Sequence, residues 1–167
     1  PNYYGVRQDI PSIAAVCHAH GAKLLVDAAH GAHFPAVGLP SPIEESADLA
    51  ALSAHKTLYA LGQSAMLLSG GTIDSDRLCE GASLFGTSSP SYAMMVSLDL
   101  ARDALEQDDS YQKAAEAVHA LRLHLAEHTK FRPLTGNDLD PCRLPVSTAG
   151  TDWTGDKLAD TLYERFG

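Results

Sequence analysis

Three short apolar runs constrain the fold of this 167-residue chain more than any other feature. They read KLLVD at 23–27, DLAALS at 48–53 and AMLLS at 65–69, and polar and apolar residues do not alternate within them. Runs of this kind are typical of strands that are covered on both faces. Only about ten residues separate the second run from the third, whereas a parallel crossover needs a dozen or more. We therefore predict that the third strand runs antiparallel to the second.

Helical patterns flank these runs. Apolar residues recur at helical spacing in several segments, and Asp9 is a typical N-cap for the first of them. In the third predicted helix, an apolar stripe is expected to face the core. The resulting order α-β-β-β-α-α-β-α predicts an α/β layered architecture. The predicted helices cover 10–20, 91–106, 110–129 and 154–166, the fourth strand lies near 143–146, a loop covers 31–42, and the stripe comprises Ala114, Val118, Leu121 and Leu125.

The composition is that of a globular domain. Hydrophobic residues make up 45% of the chain and charged residues 20%, which excludes intrinsic disorder as the main state. The formal charge of −9 argues against nucleic acid and anionic membrane surfaces as partners, since both require clustered Lys and Arg. No uncharged stretch is apolar enough to span a bilayer. We therefore expect a small molecule, rather than a nucleic acid or a membrane, as the partner.

The three cysteines are odd in number and far apart, at Cys17, Cys79 and Cys142. This spacing suggests neither a disulfide framework nor a cysteine-based zinc site, and it is typical of reduced thiols in a cytosolic protein. The chain begins at Pro1 and ends directly after a predicted helix. We therefore expect a cytoplasmic protein of which these residues are a fragment.

Polar residues follow the first two predicted strands at the point where each strand ends. Asp27 and His30 come at the end of the first strand, and Ser53, His55 and Lys56 follow the second. In open parallel sheets, ligands bind at the carboxyl ends of the strands. We therefore predict that both segments face one pocket.

Asp27 and Lys56 have two alternative roles in such a pocket. A carboxylate at the end of an apolar strand is costly unless a cation or a donor meets it, so the two residues can form a buried salt bridge. A lysine in apolar surroundings also tends to have a lowered pKa, which makes it a candidate nucleophile. A pyridoxal phosphate site explains more, because that cofactor needs a lysine for its aldehyde and an acid for its pyridinium nitrogen. Small residues such as Ala29 leave room for its flat ring.

Six segments carry a resemblance to a known family. They are PNYYG at 1–5, LLVDAAHGAHF at 24–34, SAHKTLYALGQSAML at 53–67, GTSSPSY at 86–92, SLDLAR at 97–102 and DLDPCRL at 138–144. In this order they resemble the major domain of the pyridoxal-phosphate-dependent ornithine/lysine/arginine decarboxylases and cover nearly the whole chain. The segment around Lys56 is the most specific, although cysteine desulfurases share its S-x-H-K core.

The resemblance implies a fold and a division of the chain. The expected fold is α/β and is part of the large domain of the aspartate-aminotransferase-like pyridoxal-phosphate-dependent transferases. It has a mainly parallel sheet with one antiparallel strand, and helices on both faces. Residues 1–150 are expected to form the second half of the cofactor-binding major domain, and residues 151–167 the start of the following segment, a truncated helix.

The resemblance also implies pyridoxal 5'-phosphate as the cofactor and a set of residues that bind it. Lys56 matches the Schiff-base lysine, and Asp27 matches the acid that keeps the ring nitrogen protonated. Ala29 matches the small residue packed under the ring. Ser53 and His55 match positions that contact the cofactor phosphate or flank Lys56.

Two further residues of the resemblance concern assembly. Thr87 and Ser88 match positions that reach the cofactor phosphate across a dimer interface, so we expect a homodimer or a larger homo-oligomer. The implied reaction is decarboxylation of lysine, arginine or ornithine to the corresponding amine and carbon dioxide. Lys56, His55 and His30 are the predicted catalytic residues.

Several alternatives remain open. Relatives often carry Glu where this chain has Ala28, and Pro-Ala-Leu-Thr-Gln where it has residues 59–63, which puts the choice of substrate in doubt. A cysteine desulfurase-like lyase is the rival enzyme, although Cys142 lies beside a predicted strand rather than in a mobile loop. The chain can also be an inactive piece, since it lacks the phosphate loop and the C-terminal domain of the family. His30 and His33 suggest a metal site by their spacing, but no further ligand cluster is evident and we predict no metal.

Overall fold

The computed structural model describes all 167 residues. Helices and short strands alternate in its first half, and helices dominate the second half. The helices are α1 Ile10–Ala19, α2 Ala54–Thr57, α3 Ser75–Phe85, α4 Tyr92–Gln107, α5 Ser110–His128 and α6 Gly155–Phe166, and a 3-10 helix covers Phe34–Val37. The strands are β1 Leu25–Asp27, β2 Leu49–Leu52, β3 Met66–Ser69, β4 Arg132–Pro133 and β5 Val146–Ser147.

Side-chain caps define where the predicted helices begin. Asp9 accepts a hydrogen bond from the backbone of Ser12 at 3.1 Å and starts α1. Ser91 caps α4 and Thr154 caps α6 in the same way. Such caps satisfy amides that have no partner within the helix. The four predicted helices are confirmed to within about two residues, although α5 begins after Asp109 without a side-chain cap. No helix combines the length and the apolar character needed to cross a membrane.

The central sheet has three strands in the order β1-β2-β3. β1 pairs with β2 in parallel, with Asp27 opposite Ala51. β3 pairs with β2 antiparallel, which confirms the prediction made from the short connection. The sheet therefore has one antiparallel strand, as expected, although it has only three strands in all.

One face of this sheet carries the core. Ala28 and Leu52 pack there with Ala54 of α2 and Ala101 of α4. The opposite face is open, since Leu25 and Leu67 are 65% and 57% exposed. The prediction of helices on both faces therefore holds for one face only.

The second half of the chain contains several departures from the predicted elements. Helix α3 and strand β4 were not predicted, and β5 begins at Val146 rather than at Arg143. The reason is local, because the amide of Arg143 donates to the Asp140 carbonyl in a turn at 3.1 Å, and Pro145 has no amide to donate. The predicted core stripe of α5 is also wrong, since no residue of α5 is buried. Part of it lines an open apolar groove of about 480 Å³ against α6.

Asp48, which directly precedes β2, is the most heavily bonded side chain in the fold. It is 1% exposed, and its carboxylate accepts hydrogen bonds from four donors: His18 Nε2 at 2.8 Å, Lys23 Nζ at 3.0 Å, the Leu24 amide at 2.8 Å and the Thr72 hydroxyl. Donation from the Thr72 hydroxyl and the Leu24 amide holds the pKa of this carboxyl far below its ordinary value. The carboxylate therefore joins α1, the approach to β1 and the segment after β3 to the start of β2.

We predict that Asp48→Asn destabilises the fold, because an amide cannot accept all four hydrogen bonds and leaves buried donors without a partner. Tm should fall by roughly 5–10 °C. The folded carboxyl has a lowered pKa, so its stabilisation is present above about pH 4 and is lost as the pH falls through the lowered value. Thermal unfolding measured against pH tests both points, and Asp152→Asn, at an exposed position, is the control. Equal Tm values for the two variants would contradict this role.

Candidate functional site

The parallel pairing of β1 and β2 brings the two polar segments to one edge of the sheet. The amide of Ala28 donates to the carbonyl of Ala51 at 2.9 Å, which extends the pairing one residue beyond β1. β2 ends at Leu52, and Ser53 and α2 follow directly. Asp27 and Lys56 therefore both leave the sheet at its carboxyl edge, as the sequence predicts. They line two separate cavities, however, so the expectation that both segments face one pocket is not met within this chain.

Asp27 presents its carboxylate outward. Its side chain is exposed, and Oδ1 accepts a hydrogen bond from the Ala29 amide at 3.0 Å. This short turn fixes the carboxylate and leaves Oδ2 without a partner in the chain. Ala29 is half-buried, whereas Ala28 is fully buried in the core. Ala28 therefore packs into the core, away from the edge. The position at which relatives often carry Glu is thus a core position in this chain.

Lys56 lies on the single helical turn α2. The turn is anchored by fully buried Ala54, and the amide of Lys56 donates to the Ser53 carbonyl at 3.1 Å. The Lys56 side chain is exposed, and no salt bridge joins it to Asp27. The interpretation of Asp27 and Lys56 as a buried salt bridge is therefore wrong. Both charged groups face outward, free to meet a ligand.

His55 is held by a residue to which the sequence assigned no role. Its Nδ1 lies 2.8 Å from the carbonyl oxygen of Ser64. Because a carbonyl only accepts, Nδ1 carries the proton, and in the neutral ring Nε2 keeps its lone pair. Ser64 is buried and its hydroxyl donates to the Leu61 carbonyl at 2.7 Å. The only sequence signal for this arrangement is the Gln63-Ser64-Ala65 motif downstream of Lys56.

His30 is half-buried beside the same edge, with its ring edge-on to Tyr3 at 5.7 Å. Burial lowers the pKa of His30, and the positive charges of Lys56 and Arg143 lower it further, while the carboxylate of Asp27 opposes them. His30 is therefore neutral near pH 7. Its Nδ1 is buried and has no hydrogen-bond partner in the chain.

Thr87 and Ser88 lie apart from the other predicted residues. They are exposed in the loop between α3 and α4, and the Thr87 hydroxyl accepts only from the Ser89 amide, at 3.0 Å. Within one chain the structure does not bring them to the edge that carries Asp27 and Lys56. Their predicted role requires a second chain, so it stays a prediction.

A buried histidine–carboxylate pair joins distant segments of the chain. His33 and Asp140 are 2% and 1% exposed, and His33 Nε2 lies 3.1 Å from Asp140 Oδ1. The same oxygen accepts from the Cys142 amide at 2.8 Å, and the Asp140 amide donates to the Gly5 carbonyl at 2.8 Å. The pair therefore ties the 3-10 helix to the first residues of the chain and to the segment before β5. Its partners are distant in sequence, so no local pattern predicted it.

Cys142 belongs to this buried group but does not have the properties of a reactive cysteine. Donor atoms of His33, Asp140 and Cys142 lie within 4.8 Å of one another. The Arg143 guanidinium supplies a positive charge beside the carboxylate, with Nε 3.9 Å from Asp140 Oδ2, although Oδ2 itself has no hydrogen-bond partner. Burial raises the pKa of the Cys142 thiol to about 11, which disfavours the thiolate that a desulfurase nucleophile requires. We interpret the group as a structural link, and His30 is not part of it.

The residues at the sheet edge fit pyridoxal 5'-phosphate. An exposed amine and an exposed carboxylate stand at the ends of adjacent parallel strands, with the small Ala29 on the turn between strand and loop. The buried Nδ1 of His30, which lacks a partner, adds a polar atom with unused hydrogen-bonding capacity. This set combines the amine and the acid that the cofactor needs.

Comparisons with known proteins identify the family to which the chain is similar. The family model described as "Orn/Lys/Arg decarboxylase, major domain" matches residues 1–133. An arginine decarboxylase of Bacillus subtilis is 33% identical over 185 residues, and the match covers 99% of this chain and 36% of that protein. An arginine decarboxylase of Halalkalibacterium halodurans is 30% identical with the same coverage. The chain therefore spans about a third of the length of these curated relatives.

The solved structures give a consistent result for the fold. The lysine decarboxylase LdcF of Francisella novicida matches with a TM-score of 0.71 at 20% sequence identity. The match covers 99% of this chain and 30% of that one. At this identity the match shows a shared fold.

We predict that Gly5→Ala destabilises the protein by about 2–3 kcal/mol. Gly5 has a φ of 87°, and an added Cβ would lie 2.9 Å from Cβ of Arg143 and 3.0 Å from Cβ of Asp140. Denaturant unfolding measures the loss. Gly155→Ala is the matched control, because nothing lies within 4 Å of its Cβ position at the start of α6. Comparable stability of the two variants would show that this close approach is unimportant.

Proposed function

Because the chain belongs to the Orn/Lys/Arg decarboxylase family, we propose that it is the lysine-bearing part of a pyridoxal 5'-phosphate-dependent decarboxylase of a basic amino acid. The observation that carries this proposal is the placement of exposed Lys56 and exposed Asp27 at one edge of a parallel strand pair. We place residues 1–150 in the second half of an aspartate-aminotransferase-like major domain, with α6 starting the segment that follows it.

Lys56, Asp27 and Ala29 are the residues that would hold the cofactor, with Ser53 and His55 beside them. When bound, pyridoxal 5'-phosphate supplies an aldehyde for a Schiff base and a pyridinium ring that takes up the electron pair left by departing carbon dioxide. The Lys56 amine supplies the nitrogen for that attachment, and its exposure leaves it accessible. Asp27 would keep the proton on the ring nitrogen, because a neighbouring anion favours the charged form.

His55 and Lys56 complete the proposed proton chemistry, and His30 stays neutral beside them. The Ser64 carbonyl holds the His55 ring by Nδ1, so Nε2 is the atom that accepts and returns a proton. The Lys56 amine would be the second candidate to supply a proton to the α-carbon of the substrate. His30 is neutral near pH 7 because burial and the Lys56 charge lower its pKa, so it adds no cation that would compete with a basic substrate.

The substrate proposed here is lysine, arginine or ornithine, and the product is cadaverine, agmatine or putrescine. Arginine is the first to test, because two relatives with 33% and 30% identity are arginine decarboxylases. A net charge of −9 favours the approach of a cation. The three cysteines are unpaired, which suits a reducing compartment, and we propose the cytoplasm.

We also propose that the enzyme is a homodimer or a larger homo-oligomer. Thr87 and Ser88 lie on an exposed loop between Phe85 and Tyr92, which are 94% and 77% exposed. Aromatic side chains are enriched in interfaces between chains. Packing of this loop against a second chain would bury both rings and bring the two hydroxyls to the partner's cofactor.

We predict that Lys56→Ala abolishes covalent attachment of the cofactor and lowers kcat by at least about 10³-fold, because the amine is the attachment point. Borohydride reduction of the protein with its cofactor, followed by peptide mass spectrometry, locates the modified residue. Lys130→Ala, at an exposed lysine, should keep both properties. Cofactor that is still trapped at this site in Lys56→Ala would refute the assignment.

Asp27→Asn should preserve much of the cofactor affinity but lower kcat by about 10²-fold or more, since it removes a charge that acts on the reacting ring. Titration of the cofactor and initial rates of amine release separate binding from turnover. Asp160→Asn, on the exposed surface of α6, is the control. Near-normal turnover in Asp27→Asn would remove the residue from its proposed role.

A further inference from the structure

The turn that carries Lys56 is held from outside by a tyrosine of α5. The Tyr111 hydroxyl donates to the Thr57 carbonyl at 2.8 Å, and Thr57 follows Lys56 directly. We propose that Tyr111 is the positioning residue for Lys56, acting through this carbonyl. The inference rests on the function proposed above for Lys56.

The turn needs an external partner because it is too short to hold itself. α2 has four residues, and an isolated helix of this length is not stable in water. The last carbonyls of a helix have no partner within it. Leu58 already has extended backbone angles, with φ −113° and ψ 166°, so the chain leaves the helix one residue after the carbonyl that Tyr111 holds. Buried Ala54 fixes the start of the turn, and Tyr111 fixes its end.

Tyr111 is itself rigidly placed. Its ring stacks on the His33 ring at 5.8 Å with an angle of 23° between the planes, and His33 is paired with buried Asp140. Burial raises the pKa of Tyr111 to about 12. The hydroxyl therefore remains a donor at every pH at which the enzyme would work, so it holds the turn without titrating.

A second hydrogen bond extends this support along the chain. The Ser97 hydroxyl of α4 accepts from the Leu61 amide at 2.7 Å. Helices α4 and α5 therefore each fix one point of the segment 57–61 that follows Lys56. By contrast, the Tyr59 hydroxyl within this segment lies 3.0 Å from the hydroxyl of half-buried Ser110 and does not touch the backbone of the turn.

Loss of the Tyr111 hydroxyl should act on the position of Lys56 rather than on substrate binding. A small displacement of a reacting group slows chemistry strongly while contacts elsewhere remain. Tyr111→Phe keeps the ring that stacks on His33 and removes only the donor. Tyr59→Phe removes a hydroxyl from the neighbouring ring, 5.7 Å away, and is the matched control.

The first test is amide hydrogen exchange on the cofactor-free full chain. The Leu58 amide donates to the Ala54 carbonyl at 2.8 Å, so its exchange reports opening of the turn. Tyr111→Phe should accelerate this exchange about fivefold, the effect of one lost hydrogen bond, and Tyr59→Phe should not. Ser97→Ala keeps the ring and the hydroxyl of Tyr111 and is expected to accelerate exchange at the Leu61 amide. It serves as a second variant if Tyr111→Phe folds poorly.

The second test follows attachment and turnover in the same proteins. The rate at which pyridoxal 5'-phosphate becomes borohydride-trapped on Lys56 should fall about tenfold in Tyr111→Phe, and kcat should fall with it while KM stays within about twofold. Unchanged exchange and trapping in Tyr111→Phe, or equal losses in Tyr59→Phe, would overturn the inference. Trapping on a residue other than Lys56 in the unaltered protein would instead refute the proposed function, and the exchange data would still report whether Tyr111 holds the turn.

Discussion

The parallel register of β1 on β2 is the constraint on which the rest of the candidate site depends. Asp27 stands opposite Ala51, so the loops after the two strands start at the same level of the sheet. A slip of one residue would turn Asp27 to the core face and Ala28 to the open face. The full burial of Ala28 and Ala54 against Leu52 penalises that slip, because neither position has room for a charged side chain. Small core residues thereby fix the position of charged surface residues.

Two buried carboxylates that are far apart in the sequence link the segments around this strand pair. Asp48 gathers donors from α1, from the approach to β1 and from the segment after β3. Asp140 joins the 3-10 helix to the first residues of the chain. Both are expensive to bury and are compensated by hydrogen bonds and cationic neighbours. Each links segments that share little apolar contact, in a fold with only 19 buried residues.

Local features of the fold could be predicted from the sequence, whereas its long-range polar contacts could not. The Asp9 cap, the antiparallel third strand and the shared edge of Asp27 and Lys56 follow from spacing and chain length, and the structure confirms them. The strand near 143–146 was misplaced, because a turn anchored on Asp140 competes with pairing there. The open faces of the sheet and of α5 were not predicted either. An apolar pattern shows which residues can be buried, but it does not show which element covers them.

The candidate site shows the same contrast between local features, which could be predicted, and long-range contacts, which could not. Charged residues at strand ends could be found, because a carboxylate or an amine after an apolar run needs an explanation. The roles proposed for Ser64 and Tyr111 could not be found in this way, because each involves a backbone carbonyl. The Ser64 carbonyl lies 2.8 Å from His55 Nδ1, and the Tyr111 hydroxyl donates to the Thr57 carbonyl at 2.8 Å. Tyr111 is 54 residues from Thr57 in the chain, a separation that leaves no periodic pattern.

The open face of the sheet has a consequence for how the protein behaves in solution. β1 and β3 are the outer strands of the three-stranded sheet, and exposed Leu25 and Leu67 lie on its uncovered side. Outer strands with bare backbone groups are templates for further strands. If further chain covers that surface, Leu25 and Leu67 would become part of a core. If the surface stays bare, it would favour self-association as the protein concentration rises.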